Sequence, residues 1–386
     1  MFYKNQPSPK TKSTRFRFFK RILYTLLFLF MMLTLATTLF LRQDKFGKLP
    51  TGAHLERLER SSNYKDGEFQ NLEATPALSE EASYAGILYE FFFSKRERIS
   101  PSAPLPSTKT NLFELDKDEN ILVWFGHSSY FMQVEGKKIL VDPVFSGFAS
   151  PFSFSVKAFA GTDRYSAADM PEIDYLFISH DHWDHLDYET LIELKPKIKK
   201  IICGLGVGAH FEHWGFETAK IYEGDWYDTI ALDAGFTTHL VPTRHFSGRG
   251  FKRNPSLWTA FVLQTPTKQI LIGGDSGYGK HFKHIGEKFG AFDLVILENG
   301  QYDKSWKYIH LMPDEVLQAA QDLNAKALFP VHSSKFPLAN HAWDEPLQKI
   351  TALNEAREQP FPLLTPIIGE KVSLDSLKTF AKWWER

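Results

Sequence analysis

The sequence predicts an α/β layered domain that follows an N-terminal membrane-spanning helix. Two patterns support this fold class. Residues 22–41 form an apolar run of twenty residues without a charge near the N-terminus. Beyond residue 170, short apolar runs alternate with runs of helical periodicity, which is typical of helices packed on a sheet. With 386 residues, the chain is long enough for one large domain or two smaller ones.

The N-terminal segment is predicted to be a membrane anchor. Residues 1–21 contain seven lysines and arginines and no acidic residue. At about 1.5 Å per residue, a helix over 22–41 spans a hydrocarbon core of roughly 30 Å. The basic flank should stay in the cytoplasm, which places the chain after Arg42 outside it, in the periplasm of a bacterium. The alternative is a cleaved signal peptide, although the run is long for one and ends in bulky residues.

Residues 42–110 are predicted to lead into the main domain, which then extends over residues 111–386. Within the lead-in, residues 80–95 are expected to form a helix with one aromatic face. The Pro/Ser-rich stretch 99–111 is the best candidate for a domain boundary. Two strands around a Glu135–Gly136 turn are expected at the start of the main domain.

Five apolar runs beyond residue 170 have the length of buried strands, and helical runs lie between them. The predicted strands are 173–179, 236–241, 269–274, 292–297 and 326–331. One predicted helix covers 188–195, where Asp187 can act as N-cap and Glu189 complements the helix dipole. A second covers 313–324 and begins with a proline.

Residues with metal-binding side chains follow four of the predicted strands. They are His180, His245, Asp275 and His332. In layered α/β domains, ligands gather outside the carboxyl ends of strands, where loops converge. Neutral imidazoles and carboxylates are the usual ligands of zinc and similar divalent ions. The strand ends therefore predict a metal centre, and the buried strand before His180 argues against a merely solvated polar cluster.

The stretch ISHDHWDHLD, residues 178–187, concentrates three histidines and three aspartates. Alternate residues of an extended turn point the same way, so His180 and His182 can hold one ion. Asp184 and His185, at the turn into the helix, can hold a second. This short stretch therefore predicts two adjacent metal sites.

The later strand ends would complete both sites. We expect His245 to join the first site and His332 the second, with the two oxygens of Asp275 bridging the ions. Gly273 and Gly274 allow the backbone to approach closely at that point. Seven ligands are too many for one tetrahedral site, which predicts two divalent ions, with zinc as the expected metal.

Five further histidines and aspartates are weaker candidates. His127 and Asp142 can orient the ligands through hydrogen bonds, or can have ordinary structural roles. His310 precedes a helix and can either face the substrate or cap that helix. His281 and His284 are expected to be solvated or locally bonded.

These motifs resemble the metallo-β-lactamase superfamily, whose pattern His-x-His-x-Asp-His is followed by a later His, Asp and His. Stretches such as PTRHFSGRG, FGAFDLVILENGQYD and PVHSSKFPLANHAWDEP are similar to one branch. That branch contains the N-acylphosphatidylethanolamine-hydrolysing phospholipases D and their bacterial relatives. The resemblance covers roughly residues 50–370 and implies an αββα sandwich with a dinuclear site at one edge. Trp183 stands where this branch often has Tyr, which can alter the fit of a substrate.

The predicted site implies hydrolysis. Two divalent ions can lower the pKa of a shared water, and the resulting hydroxide attacks an electrophile held against the metals. Asp275 is expected to orient that nucleophile, with Asp184 and His310 as further catalytic candidates. The first hypothesis is a membrane-anchored phosphodiesterase of phospholipase D type that acts on a phospholipid. The alternative is a lactonase or other carbonyl-ester hydrolase, and a remote one is a non-catalytic membrane metal-binding protein.

Composition argues against a nucleic-acid partner. Lysine and arginine together number 45 against 46 aspartates and glutamates, so no global basic field attracts nucleic acid. The expected partners are the membrane and a small ester substrate. The single cysteine, Cys203, excludes an intramolecular disulfide and is expected to be inert packing in an apolar run.

Overall fold

The computed structural model of the protein describes residues 11–93, 97–233 and 235–385. The chain divides into two compact units, Met1–Phe46 and Gly47–Arg386. The predicted boundary near residue 110 stays a prediction, although residues 47–110 belong to the larger unit.

The first unit is built on one long apolar helix, α1 (Thr11–Leu41). Its stretch Phe16–Leu41 is long and apolar enough to cross a membrane, and none of it is buried. A signal sequence near the N-terminus would pass the same test of length and composition. The predicted span 22–41 lies within α1, whereas residues 1–10 of the predicted basic tail lie outside the described residues.

The second unit contains the other α-helices and all the strands of the described chain. The helices are α2 (Ala53–Glu59), α3 (Tyr84–Phe93), α4 (Tyr188–Leu194), α5 (Gly208–His213), α6 (His281–Phe289), α7 (Pro313–Asp322) and α8 (Glu345–Glu355). The strands are β1 (Tyr64–Lys65), β2 (Glu68–Phe69), β3 (Ile121–Trp124), β4 (Tyr130–Val134), β5 (Lys137–Val141), β6 (Ile173–Ile178), β7 (Ile198–Gly204), β8 (Ile221–Gly224), β9 (Thr229–Asp233), β10 (Phe236–Val241), β11 (Ala260–Gln264), β12 (Gln269–Ile272), β13 (Leu294–Glu298), β14 (Leu328–Val331) and β15 (Lys371–Ser373).

Two mixed sheets form the body of this unit. The strand order is β15-β3-β4-β5-β6-β7-β8 in the larger sheet and β14-β13-β12-β11-β10-β9 in the smaller one. Strands β5 to β8 run parallel to one another, as do β12 to β14, and the other neighbours are antiparallel. Parallel neighbours bring their carboxyl ends to the same edge of a sheet, which places the loops after them side by side.

Three apolar clusters define the layers. Between the sheets, side chains of both inner faces interlock, as in the edge-to-face pair of Phe177 on β6 and Phe261 on β11 at 5.0 Å. A second cluster covers the outer face of the larger sheet and includes Leu191 of α4 and Phe211 of α5. A third packs α6, α7 and α8 on the smaller sheet. The layers are therefore helix, sheet, sheet, helix, which confirms the predicted αββα sandwich.

The predicted elements are present with small shifts at their ends. All five predicted strands form, and β12 ends two residues early at Ile272. The Glu135–Gly136 turn joins β4 to β5 with positive φ at both residues, 48° and 76°, as a two-residue hairpin requires. The predicted helix 80–95 is α3, shorter at its start, and residues 94–96 lie outside the described residues.

One local prediction was wrong. Asp187 occupies the N-cap position of α4, but its side chain makes no capping bond to the helix backbone. The carboxylate instead accepts hydrogen bonds from the backbone N–H groups of Phe145 and Ser146 and from Thr190 Oγ1. These tertiary partners fasten the loop after β5 to α4, and they compete successfully with the local cap.

Candidate metal centre

The first three predicted ligands converge after strands β6 and β10. His182 Nδ1 lies 2.9 Å from His180 Nε2 and 3.3 Å from His245 Nε2. Their nitrogens form a group of metal-ligand spacing, and His180 and His245 are buried. The structure thus brings together the set that the sequence analysis assigned to one ion.

Hydrogen bonds outside this group orient two of the rings. His245 Nδ1 donates to the carbonyl of Ile309 at 2.8 Å, and His180 Nδ1 lies 2.9 Å from Ser179 Oγ. Because a carbonyl can only accept, His245 Nδ1 carries the proton and its Nε2 keeps a lone pair. Burial lowers the pKa of His180 and His245 well below the usual value, and that of His182 to about 4. Neutral imidazoles with converging lone pairs suit a cation.

The second predicted set lies beside the first. Asp184, His185 and His332 form a group of metal-ligand spacing together with His127. His185 Nε2 lies 3.5 Å from Asp184 Oδ2. All four side chains are buried in the sheet edge, so a charge placed there is shielded from water.

Asp275, which follows β12, lies between the two sets. Its Oδ2 is 3.3 Å from His185 Nε2, 3.7 Å from His245 Nε2 and 3.9 Å from His180 Nε2. Its Oδ1 is 3.2 Å from His332 Nδ1. One carboxylate therefore faces histidines of both sets, as a bridging ligand must. Burial raises the pKa of Asp275 to about 6.

Buried polar atoms without a hydrogen-bond partner are evidence for a cation-binding site between the two sets of predicted ligands. Within the described part of the chain, His185 Nε2 and Asp275 Oδ1, which face other predicted ligands, are buried without a hydrogen-bond partner. Such atoms are costly and call for a specific compensating partner. Since the donor set is histidine and carboxylate only, it fits zinc or a similar divalent ion, and the residues present fit a dinuclear site.

Asp142 and His127 are hydrogen-bonded to the predicted ligands. Asp142 Oδ2 accepts from His185 Nδ1 at 2.8 Å, while its Oδ1 accepts from the backbone N–H of Ser179 at 2.9 Å. His127 Nε2 lies 2.8 Å from Asp184 Oδ2. Such partners fix the orientation of a ligand and, for histidine, the tautomer.

Three residues of the site have backbone conformations that side chains disfavour. His127, Asp142 and His332 have φ values of 52°, 39° and 67°. Each such residue costs of order 1–3 kcal/mol and persists only where its surroundings impose it. The loops that carry the site are thus held in place by the packed sheets rather than by local preference.

His310 lies at the site with a partner that the sequence analysis did not identify. Its ring centroid is 5.1 Å from that of His245 and 5.3 Å from that of His332, and its Nδ1 is 2.6 Å from Glu298 Oε2. Glu298 is the last residue of β13 and also accepts from the backbone N–H groups of Ser276 and Leu311. The sequence could have identified Glu298, because this residue follows the predicted apolar strand 292–297 in the same way that the predicted ligands follow other strands.

The other residues singled out in the sequence belong to none of the groups with metal-ligand spacing in the described chain. The guanidinium carbon of Arg249 lies 3.9 Å from the centroid of the Trp183 ring. His281 is buried and bonded to Ser276 Oγ at 3.0 Å, and His284 is exposed, in agreement with their expected local roles. Cys203 is buried, as expected.

The lead-in segment, residues 42–110, contributes hydrogen bonds and lining residues to the site. Asn71 exchanges two hydrogen bonds with the backbone of His245, at 2.8 and 3.1 Å. A cleft of about 350 Å³ opens onto the predicted ligands. Its other lining residues are Ala77, Leu78, Tyr84, Phe246, Arg253, Gln301, Trp306, Ile309, His310 and Leu338. The lining of the cleft therefore combines aromatic and aliphatic side chains with histidines and carboxylates.

Comparison with known proteins agrees with this geometry. A family model described as a β-lactamase superfamily domain matches residues 137–333. An uncharacterised protein of Mycobacterium tuberculosis is 33% identical over 330 residues, which cover 84% of this chain and 88% of that protein. The N-acyl-phosphatidylethanolamine-hydrolyzing phospholipase D 1 of Caenorhabditis elegans is 30% identical over 256 residues, which cover 61% of this chain and 70% of that protein.

A solved structure shares the fold. The isothiocyanate hydrolase from Delia radicum gut bacteria is 18% identical, and the superposition covers 66% of this chain and 98% of that one with a TM-score of 0.52. This likeness concerns the fold alone, whereas the family model covers residues 137–333, a range that includes all seven predicted ligands. The chain therefore belongs to the metallo-β-lactamase superfamily of metal-dependent hydrolases, in the branch that contains the N-acylphosphatidylethanolamine-hydrolysing phospholipases D.

Proposed function

We propose that the protein is a zinc-dependent phosphodiesterase of phospholipase D type, anchored in a membrane by residues 22–41, with a phospholipid such as N-acylphosphatidylethanolamine as substrate. The observation that carries this proposal is the combination of charges and apolar surface in the cleft. Among the described residues that line it, Arg253 is the one with a permanent positive charge. An anionic phosphodiester can pair with that guanidinium, whereas a neutral lactone or ester cannot.

The predicted ligands would form two groups, one for each ion. His180, His182 and His245 would hold one ion, Asp184, His185 and His332 the other, and Asp275 would bridge them. When bound, two divalent ions activate water and stabilise negative charge that develops on the electrophile.

The cleft itself would position the lipid. The apolar side chains of Leu78, Tyr84 and Trp306, which line the cleft, can cover an acyl chain, and Arg253 can orient the phosphate toward the ligands. His310, held by Glu298, faces the same cleft and can donate to or accept from a substrate oxygen.

Arg253→Gln is expected to raise KM for a phosphodiester substrate about tenfold or more, since a charge-assisted pair contributes roughly 1.5–3 kcal/mol. Turnover at saturation should change less, because the residues that face the predicted ions remain. The measurement is hydrolysis of N-acylphosphatidylethanolamine in mixed micelles, with a neutral lactone assayed in parallel. Arg164→Gln, which removes an exposed arginine outside the cleft, is the matched control. Efficient hydrolysis of lactones with no phosphodiesterase activity would favour the carbonyl hydrolase instead.

Protein purified without chelator and supplied with zinc is expected to bind two ions per chain, because Asp275 lies between two separate sets of predicted ligands. Elemental analysis of the dialysed protein measures the ratio directly. A ratio that never exceeds one would contradict the dinuclear arrangement.

A reporter fused to the C-terminus of the full chain is expected to be active only when it is one that functions outside the cytoplasm, since the basic residues before the anchor should remain inside. Paired fusions to a secreted and a cytoplasmic reporter give the answer in living cells. Recovery of a soluble mature protein that begins near residue 42 would show instead that the segment is a signal peptide.

A further inference from the structure

His210 is a buried histidine next to the loop that carries His180 and His182, although it contacts none of the predicted ligands. It belongs to α5 and is 2% exposed. Its Nε2 lies 3.3 Å from Asp181 Oδ2, and its Nδ1 lies 3.1 Å from the backbone nitrogen of Lys48. A backbone N–H can only donate, so Nδ1 accepts, and the proton on Nε2 points to Asp181. One imidazole therefore joins the start of the larger unit to the loop of the metal centre.

Asp181 stands between His180 and His182 in the chain and gathers several segments around it. Its fully buried carboxylate accepts from the backbone N–H of Gly248 at 2.6 Å and from Ser256 Oγ at 2.8 Å, in addition to His210. Gly248 lies three residues after His245. The carboxylate thus ties the segment that carries two of the converging histidines to the segment that carries the third.

Asp181 needs these hydrogen-bond partners because its carboxylate is fully buried. A buried carboxylate keeps its geometry only if its donors are in place, since an unpaired one is strongly destabilised.

The contact between His210 and the segment Gly47–Lys48 is closely packed. Gly47 has a φ of +68°, and a Cβ added to it would lie 2.0 Å from His210 Nδ1. No larger residue leaves room for the ring at this distance, so the absence of a side chain allows Lys48 N–H to reach it. The contact between the segment 47–48 and His210 is therefore specific to this backbone conformation.

We propose that His210 is a positioning residue, and that Asp181, His210 and the segment Gly47–Lys48 form a hydrogen-bonded connection that holds the first metal site in shape. The inference rests on the proposed metal centre but not on any particular substrate. It makes the segment that follows the predicted membrane anchor part of the support of the metal site. Partners of this kind typically contribute 10–100-fold in metal affinity.

Two substitutions separate this role from simple packing. In His210→Gln, the amide nitrogen can take the place of Nε2 and still donate to Asp181. In His210→Asn, the amide oxygen can take the place of Nδ1 and accept from Lys48, but the bond to Asp181 is lost. We expect His210→Asn to weaken binding of one of the two zinc ions by about 10–100-fold, and His210→Gln, which loses only the hydrogen bond from Lys48, to weaken it much less.

The measurement is zinc titration of the full-length protein against a chromophoric chelator, with the melting temperature of each metal-free variant recorded alongside. Ser256→Ala, which removes another donor to Asp181, should also weaken one ion, and Gly47→Ala should do so to a smaller extent by displacing Lys48. The proposal would be overturned if His210→Asn and His210→Gln had equal zinc affinities, whether both bound zinc more weakly than the wild type or both bound it as tightly. If His210→Asn fails to fold, an unchanged affinity in Ser256→Ala overturns it instead.

The titration also separates this inference from the proposed function. It needs no substrate, so a protein that proves inactive on phospholipids can still show the expected difference between the two variants. A wild-type protein that binds no zinc would overturn the metal centre and this connection together.

Discussion

Asp275→Asn is expected to lower turnover by about a hundredfold or more, as the loss of a key electrostatic element in an active site typically does. The substitution keeps the volume but removes a negative charge that faces His185 and His332 from opposite oxygens. An asparagine amide offers one oxygen and one NH2 group, and the NH2 group cannot serve as a ligand. Two ions should then bind more weakly, since neither set keeps its shared carboxylate.

The fold should survive this substitution. Strand β12 is anchored by Ile270, Leu271 and Ile272, which are buried between its neighbours and do not depend on Asp275. Zinc content, melting temperature and turnover should be measured on the same preparation. His310→Ala is the matched comparison, because it removes a residue of the cleft that we do not assign to either ion. Its zinc content should remain that of the wild type. Full zinc content and near-normal turnover in Asp275→Asn would refute the bridging role.

Asp142→Asn is expected to weaken binding at the second metal site by about 10–100-fold, because Asp142 sets the tautomer of His185. In the wild type, both carboxylate oxygens accept, one from His185 Nδ1 and the other from the backbone N–H of Ser179. Either orientation of an asparagine amide places an N–H group against one of these donors. If the amide faces His185, the ring must move its proton to Nε2, and that nitrogen then loses the lone pair that a metal needs.

Asp174→Asn provides the control for Asp142→Asn. Asp174 lies in β6, accepts from the backbone N–H of Lys138 at 2.9 Å, and contacts none of the predicted ligands. Zinc titration of both variants should show weakening of one ion in Asp142→Asn and none in Asp174→Asn. Equal behaviour of the two variants would mean that Asp142 supports the sheet and not the metal centre.

Much of the site can be predicted from patterns that are local in the sequence. Apolar runs such as 173–179 and 326–331 predict buried strands, and a polar residue at the end of each parallel strand is carried to one edge of the sheet. The spacing within His180–His185 is short enough for local geometry to decide which side chains meet. For this reason the sequence pattern alone predicts an α/β layered domain, the position of the site and the residues brought together there, whereas the αββα sandwich was implied by the family resemblance.

The remaining features depend on contacts between segments that are distant in sequence. Asn71 holds the backbone of His245 across 174 residues, and Lys48 bonds His210 across 162. Local propensity carries no information about such partners, which only the packed sheets bring together. Asp187 shows the same effect, because tertiary donors drew its carboxylate away from the helix that it was expected to cap. The sequence by itself therefore determined which residues were predicted to converge at the candidate metal centre, and only the tertiary structure decided what supports them, since that support is made of long-range hydrogen bonds.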